Sequence, residues 1–292
     1  MNFKNKKVLI GFIGQGYIGK NYADDFEHRG YKIIRYAKEE PYIKNKEKIK
    51  DCDIVFIAVP TPTTPKGYDA SIIRRVIPLV GKNKIIVVKS TLQPGLTRAL
   101  QKEFSNYIIV HSPEFLSEAT AAQDAAYPFA NIVGLPSNSK AHQKATKLVH
   151  SILPSAPFST TVTSEEAELI KYTHNGSGFT QIIFFNLMHD LAKKMGADWK
   201  PIEQAMKADP FVPNRYAQPV HKNGRGAGGH CFIKDFATLS QTYDKIVGDK
   251  LGTETLKIME KKNIQLLTQS KKDLPLLKRV YGNNIKIKDG KF

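Results

Sequence analysis

Along the first half of the chain, short β-branched and aliphatic runs at 8–13, 32–36, 54–59, 85–88, 107–110 and 131–133 alternate with segments of helical periodicity. Strands covered on both faces read as continuous apolar runs, so this alternation predicts βαβ units on one mostly parallel, doubly wound sheet. After about Thr163 the strand signal fades. Thr163 with Glu166 three residues later forms a capping box that opens a long helix to about Met195, and Gly196 is its stop. Further helices are expected near 201–207, from about Cys231, and over 253–270, with an irregular Pro- and Gly-rich loop at 209–229. The fold class is therefore α/β: a sheet domain over 1–162, then an all-helical domain over 163–292. The polar stretch from Tyr281 to Phe292 is expected to fray.

Composition narrows the class. The 292 residues are 41% hydrophobic and 24% charged, which is enough apolar material for folded domains and excludes disorder, collagen and coiled coils. Two cysteines, Cys52 and Cys231, make no disulfide framework, and no paired metal knuckle is present, so no metal site is expected. Lys4, Lys6 and Lys7 before an apolar run imitate a signal peptide, but glycines interrupt the run and no cleavage pattern follows. No run of 18 apolar residues suggests a membrane span. A cytoplasmic location is the expectation. The net charge of +17 fits a solvated basic surface or an anionic small-molecule ligand, and nucleic acid is disfavoured because no recognition module accompanies it.

The first candidate site is GQGYIG, comprising Gly14, Gln15, Gly16, Tyr17, Ile18 and Gly19, between the first strand and a helical segment ending at Gly30. Glycines there allow a tight turn, close approach of backbone to a pyrophosphate and close helix packing, with the helix N-terminus facing the anion. An acid is expected at the end of the second strand to bind a ribose, but Ala37 stands there. Arg35 and Lys38 flank it, which suits either a 2′-phosphate or merely a basic strand end.

Three polar turns follow later strands and converge on the crevice side of such a sheet. They hold Val59, Pro60 and Thr61; Thr91; and Glu114 with Glu118. If Pro113 opens a helix, the two acids lie one turn apart and can activate a water, or are simply exposed helix acids. On the capped helix, Glu165 precedes Lys171 and Asn175, whose i, i+4 spacing pairs a cation with an amide able to stabilise oxygen charge. Gly176 and Gly178 imply either a kink or something packed closely there. GAGGHCFIKD then delivers Cys231 to a helix first turn, where the dipole and Lys234 favour a thiolate; the bland alternative is an inert core cysteine.

Taken together, GQGYIG, IAVPTPT, VKSTLQPG, SPEFLSEA, the Lys171–Asn175 helix and GAGGHCFIKD resemble, in order, the UDP-glucose/GDP-mannose dehydrogenase family over about residues 6–265. The resemblance implies a Rossmann-like domain and a helical central domain. It implies oxidation of a nucleotide-sugar C6 alcohol to the uronate by two hydride transfers, with NAD as cofactor and NADP left open. By family role, Lys171 and Asn175 stabilise oxygen charge, Asp235 and Thr91 organise the water or proton acceptor, and Cys231 forms the thiohemiacetal and thioester. Glu114 or Glu118 assists hydrolysis. The GQGYIG residues, Val59, Pro60, Thr61, Thr91, Glu118 and Lys234 fall at cofactor-binding positions. A homodimer through the central helix is also implied.

Departures from the family pattern are a short 37–52 stretch, His230 for a common Ser, Ile233 for a common Pro, Gly176-Ser177 for Ala-Phe, and no C-terminal nucleotide-binding domain. These leave open a compact enzyme, a separate nucleotide-binding partner, or a non-catalytic cofactor-binding subunit. A two-electron hydroxyacid or 6-phosphogluconate-type dehydrogenase is a further alternative, against which Cys231 argues.

Overall fold

The structure, a computed structural model, describes residues 8–213, 215–283 and 285. Strand β1 (Ile10–Ile13) leads through α1 (Tyr17–His28) to β2 (Ile33–Tyr36), and a 3-10 segment (Ile43–Asp51) precedes β3 (Ile54–Ile57). The hairpin β4 (Thr63–Thr64) and β5 (Gly67–Tyr68) comes next, then α2 (Ser71–Val76), a 3-10 turn (Ile77–Leu79), β6 (Ile85–Val88), α3 (Leu96–Glu103) and β7 (Ile108–His111). After these come α4 (Ala121–Ala126), β8 (Ala130–Leu135), α5 (Lys140–Ile152), β9 (Phe158–Thr163), α6 (Ser164–Lys194) and α7 (Trp199–Ala208). A second hairpin, β10 (Val220–His221) and β11 (Gly224–Arg225), precedes α8 (Gly229–Ile246), α9 (Lys250–Gln269) and α10 (Leu274–Tyr281).

The chain forms two compact units, Met1–Thr61 with Asp69–Lys171, and Pro62–Tyr68 with Tyr172–Phe292. The boundary expected after residue 162 falls within the last residues of β9, just before α6, and the compact units divide inside α6, after Lys171. The segment Pro62–Tyr68 joins the helical unit because the Thr63 hydroxyl donates to the Lys234 carbonyl at 3.1 Å and lies 2.7 Å from the Thr238 hydroxyl.

In the first unit seven strands run in the order β2-β1-β3-β6-β7-β8-β9, parallel except where β7 meets β8. Alternate strand positions feed two cores. Ile10, Phe12, Ile54, Phe56 and Val87 pack on one face, and Ile13, Val55, Ile57, Ile86 and Val88 on the other, as a pleat with helices on both sides requires. Phe12 stacks on Phe56 at 5.1 Å between ring centroids and meets Phe26 of α1 edge-on at 5.4 Å. β9 was not among the expected strands: its residues FSTTVT lie on the sheet edge, mostly exposed, and so carry no apolar run.

In the second unit α8 packs between two apolar clusters. Phe179, Ile183, Phe236 and Leu266 form one, with Phe179 stacked on Phe236 at 3.7 Å, and Ile233, Ala237, Leu267, Leu277 and Val280 form the other. The capping box is present in full: the Glu166 amide donates to Thr163 Oγ1 at 3.3 Å, and the Thr163 amide donates to Glu166 Oε2 at 2.7 Å. Among the described residues of 163–292 the helical expectation is modified by one short hairpin, β10–β11, and the hairpin β4–β5 is added to this unit from residues 63–68. Close packing explains the mid-helix glycines, since a Cβ at Gly178 would lie 2.8 Å from the Tyr216 ring and 3.1 Å from that of Phe232. Tyr281 ends α10 and donates to Glu260 at 2.9 Å, so it does not fray; most of the tail after it, and Lys4, Lys6 and Lys7, lie outside the described residues.

Removing a ring from the aromatic stack leaves a cavity that a close-packed sheet cannot collapse around. Phe12→Ala is expected to lower unfolding stability by about 3–5 kcal/mol in urea titration.

Candidate active site

The strand order places a topological switch point between β2-β1 and β3, with the turns after β1 and β3 at its mouth. Gly14 takes φ +91°, and a Cβ there would lie 2.4 Å from the Ala58 carbonyl oxygen. A Cβ at Gly19 would lie 1.9 Å from the Gly14 oxygen, so α1 is drawn tight against the turn. At Gly16, the N-cap of α1, a Cβ would meet nothing within 4 Å, and no side chain caps the helix. The uncapped first-turn amides and the open space in front of them fit a dinucleotide pyrophosphate. Gln15 turns its amide back onto the Gly14 carbonyl at 3.0 Å, while Tyr17 and Ile18 start the helix half-buried.

At the end of β2, Ala37 is buried, and Arg35 is not available for a 2′-phosphate. Its guanidinium binds Asp24 at 2.6 Å and Glu27 at 2.5 Å. Burial works against its charge, but these hydrogen bonds outweigh it and raise its pKa. Lys38 remains exposed beside it.

The turns after β3 and β6 are tied together at the carboxyl ends of their strands. Ser90 donates to the Val59 carbonyl at 2.7 Å and Thr61 to the Thr91 carbonyl at 3.1 Å; Val59, Thr61 and Thr91 are buried, and Pro60 is exposed. Pro113 does not open a helix. Residues 112–117 run without regular structure and α4 begins only at Ala121, so Glu114 and Glu118 are not paired on a helical face. Glu114 is 2% exposed and accepts from the Leu116 amide at 2.6 Å and from Lys171 Nζ at 3.2 Å, whereas Glu118 lies in an exposed turn. Lys171 also donates to the Glu114 carbonyl at 2.6 Å.

Two buried charges in this unit were not among the sequence candidates. Glu168 accepts from the Gly95 amide at 2.6 Å and the Thr97 amide at 2.7 Å, capping α3 from another helix; burial pushes its carboxyl up to about 7 against these bonds. Its signal is its place on the α6 stripe with Lys171 and Asn175, at three- and four-residue steps. Lys89 sits 3.2 Å from Ser112 Oγ and 4.2 Å from the Tyr22 ring centre. Burial lowers its ammonium to about 7, with Glu114 opposing and Lys171 assisting. The adjacent His111 donates through Nδ1 to the Val88 carbonyl at 2.9 Å, and burial brings it down to about 3, which fixes it neutral.

In the second unit, Cys231 lies in the first turn of α8, partly exposed, with Asp235 one turn further along the same face. Asn175 donates to Asp235 Oδ2 at 2.6 Å, and Lys234 pairs with the other carboxylate oxygen. Thiol, carboxylate and amide are thus gathered within one unit. Cys52 is different in kind: it is fully buried and its thiol is pushed up to about 12 by burial, then by Asp51 and Asp53. Among the described residues no group of three or more His, Cys, Asp or Glu could hold a metal ion, and no helix is long and apolar enough to cross a membrane.

Lys89 has a stability signature. Its folded pKa lies below its unfolded one, so between about pH 7 and the ordinary lysine range the unfolded state binds more protons. Stability is therefore expected to rise as pH increases from about 7.5 to 9.5, and Lys89→Met should flatten that slope in urea titrations. An identical slope in the variant would remove Lys89 as its source.

Residues 41–153 match the model of the NAD binding domain of the UDP-glucose/GDP-mannose dehydrogenase family, and residues 165–263 match that of its central domain. The UDP-glucose 6-dehydrogenase of Rickettsia conorii is 30% identical over 266 residues, covering 80% of this chain and 59% of that protein. The chain spans 59–64% of the length of such curated relatives. Among solved structures, a UDP-glucose dehydrogenase from Pyrobaculum islandicum shares the fold at a TM-score of 0.75 and 22% identity, over 92% of this chain and 72% of that one. A 3-hydroxyisobutyrate dehydrogenase from Mycobacterium tuberculosis shares it at 0.67 and 14% identity, over 94% and 99%. The domain match, with the glycine turn and uncapped α1 that fit a pyrophosphate, supports NAD as the cofactor. With both family domains matched in order over well over half of its residues, the chain belongs to the UDP-glucose/GDP-mannose dehydrogenase family.

Proposed function

We propose that the chain oxidises the C6 alcohol of a UDP-glucose-like nucleotide sugar to the uronate, through a thiohemiacetal and a thioester on Cys231. The carrying observation is Cys231 at the start of α8, one turn from an Asp235 carboxylate held by Asn175. NAD, when bound, accepts the hydride in each of the two oxidations. Gly14, Gly16, Gly19 and the first-turn amides of α1 would hold its pyrophosphate, with Val59, Pro60 and Thr61 the further residues that would contribute to its binding. Asp235 organises the water or proton acceptor of the first oxidation, the role that the family resemblance also gives to Thr91 of the first unit. Lys171 and Asn175 stabilise charge on the reacting oxygen, a role that a buried ammonium and amide perform better than solvated ones. Cys231 then adds to the aldehyde, and loss of the second hydride leaves an acyl thioester. Of the two acids, Glu114 is the better candidate for directing its hydrolysis, being buried against Lys171 whereas Glu118 is exposed.

The same reading includes a homodimer through α6. Phe184, Leu187, Leu191 and Met195 are 53, 43, 52 and 74% exposed and recur at three- and four-residue steps, an apolar stripe suited to a second copy of the helix.

Purified protein with NAD and a panel led by UDP-glucose and GDP-mannose is expected to form two equivalents of reduced cofactor per sugar. One equivalent would replace the four-electron reaction with a simple alcohol oxidation. Cys231→Ser should lower uronate formation by roughly a thousandfold or more, while cofactor binding followed by fluorescence persists. Sedimentation is expected to show a dimer that Phe184→Lys with Leu191→Lys reduces to monomer; a monomeric wild-type protein would overturn the helix pairing.

A further inference from the structure

The loop that delivers Cys231 is held by four side chains that lie beyond its own motif. Ser270 Oγ accepts from the Arg225 amide at 3.0 Å. Asn263 brackets Ala227, accepting from its amide at 2.7 Å and donating to its carbonyl at 3.0 Å. Lys272 Nζ donates to the Gly226 carbonyl at 3.0 Å, and Asp273 Oδ2 accepts from the Gly229 amide at 2.7 Å, in the first turn of α8.

The loop's glycines are shaped around these residues. A Cβ at Gly228 would lie 2.1 Å from Asp273 Oδ2, one at Gly224 would lie 2.7 Å from the Lys272 Cβ, and one at Gly226 would lie 2.9 Å from Asn263 Oδ1. Lys271 and Asp273 themselves take φ of +56° and +54°, a left-handed backbone that residues with side chains adopt only where the surroundings impose it. Loop and turn therefore specify one another.

We propose that Asp273 is a positioning residue for Cys231: its carboxylate caps α8, clasps the glycine loop together with Lys272, Ser270 and Asn263, and keeps the thiol protonated to higher pH. A carboxylate bound to the first-turn amide takes up the partial positive charge that would otherwise favour a thiolate in that turn. The other titratable groups beside the loop include His230, Lys234 and Asp235 on α8, Lys272 on the turn, and His221 and Lys222 of the β10–β11 hairpin, which face Lys272. Lys234 pairs with Asp235, and Arg225 pairs with Asp190 at 2.6 Å, so both of these cations are already engaged. Asp273 is the acid at the N-terminus of the helix itself.

Because its relevance rests on Cys231 being the nucleophile proposed above, the test reads the thiol directly and needs no turnover. Alkylation of the intact protein by iodoacetamide is followed against pH, with peptide mass mapping to separate Cys231 from the buried Cys52. Asp273→Asn keeps an oxygen to accept from Gly229 and removes the charge. The midpoint for Cys231 is expected to fall by about 0.2–0.7 pH units, the shift that a helix-terminus charge interaction supplies. Glu254→Gln, an exposed change on α9, should leave it in place. A midpoint unchanged or raised in Asp273→Asn would overturn the proposal. Hydrogen exchange of the Ala227 and Gly229 amides in the wild-type protein gives a second readout that no variant's folding affects: slow exchange is expected, and exchange of both at the rate of an open loop would overturn the clasp. Failure of Cys231→Ser to slow turnover would instead sink the thioester reaction and leave both of these readouts intact.

Discussion

A charge removed from water must be answered by a charge or by directed hydrogen bonds, and that constraint organises this protein more than any other. Along α6, Glu168 is answered by the amides of Gly95 and Thr97, Lys171 by Glu114, and Asn175 answers Asp235. Each pairing joins the helix to a segment distant in sequence, so burying the polar stripe and assembling the surrounding turns are one event. Removal of either partner would strand the other, which makes these contacts specific beyond what apolar packing provides.

The two units treat their polar groups differently. In the first, strand ends and the turns after them converge at the switch point, and backbone geometry does the work: a positive φ at Gly14, a tight approach at Gly19, an uncapped helix at Gly16. The buried charges of this unit, Lys89, Glu114, Glu168 and Lys171, lie apart from that glycine turn, at the turns after β6 and β7 and on α6. In the second, a thiol, a carboxylate and an amide are gathered on helices, and the loop that carries the thiol is fixed by residues from a later turn. The first of these units carries the match to the family's NAD binding domain, and most of the central-domain match falls in the second.

Much of this was legible in the chain. The apolar runs located six of the seven sheet strands: the interior strands are buried on both faces and mainly apolar, and the edge strand β2 still carries Ile33 and Ile34 against the two cores. The seventh, β9, escaped because this edge is mostly exposed and its FSTTVT carries no apolar run. The capping box marked the start of α6 to the residue, since both of its bonds are local. The pairing of Glu114 with Glu118 failed for the complementary reason. A proline at a plausible first helical position is a local signal, and Glu114 is instead drawn away by Lys171, a partner 57 residues along the chain.

Sequence alone determined the periodicities, the glycine turn before α1, the first-turn placement of Cys231 and the family, because each is written in neighbouring residues or in short motifs. Tertiary structure decided which charges are buried and who answers them. Arg35 is bound by Asp24 and Glu27 rather than offered to a phosphate, Lys234 goes to Asp235, and Asp273 comes back across 44 residues to cap the helix of Cys231. The physical reason is that a hydrogen bond or ion pair is set by distance and direction in space, and a linear chain does not state which remote groups folding will bring within reach.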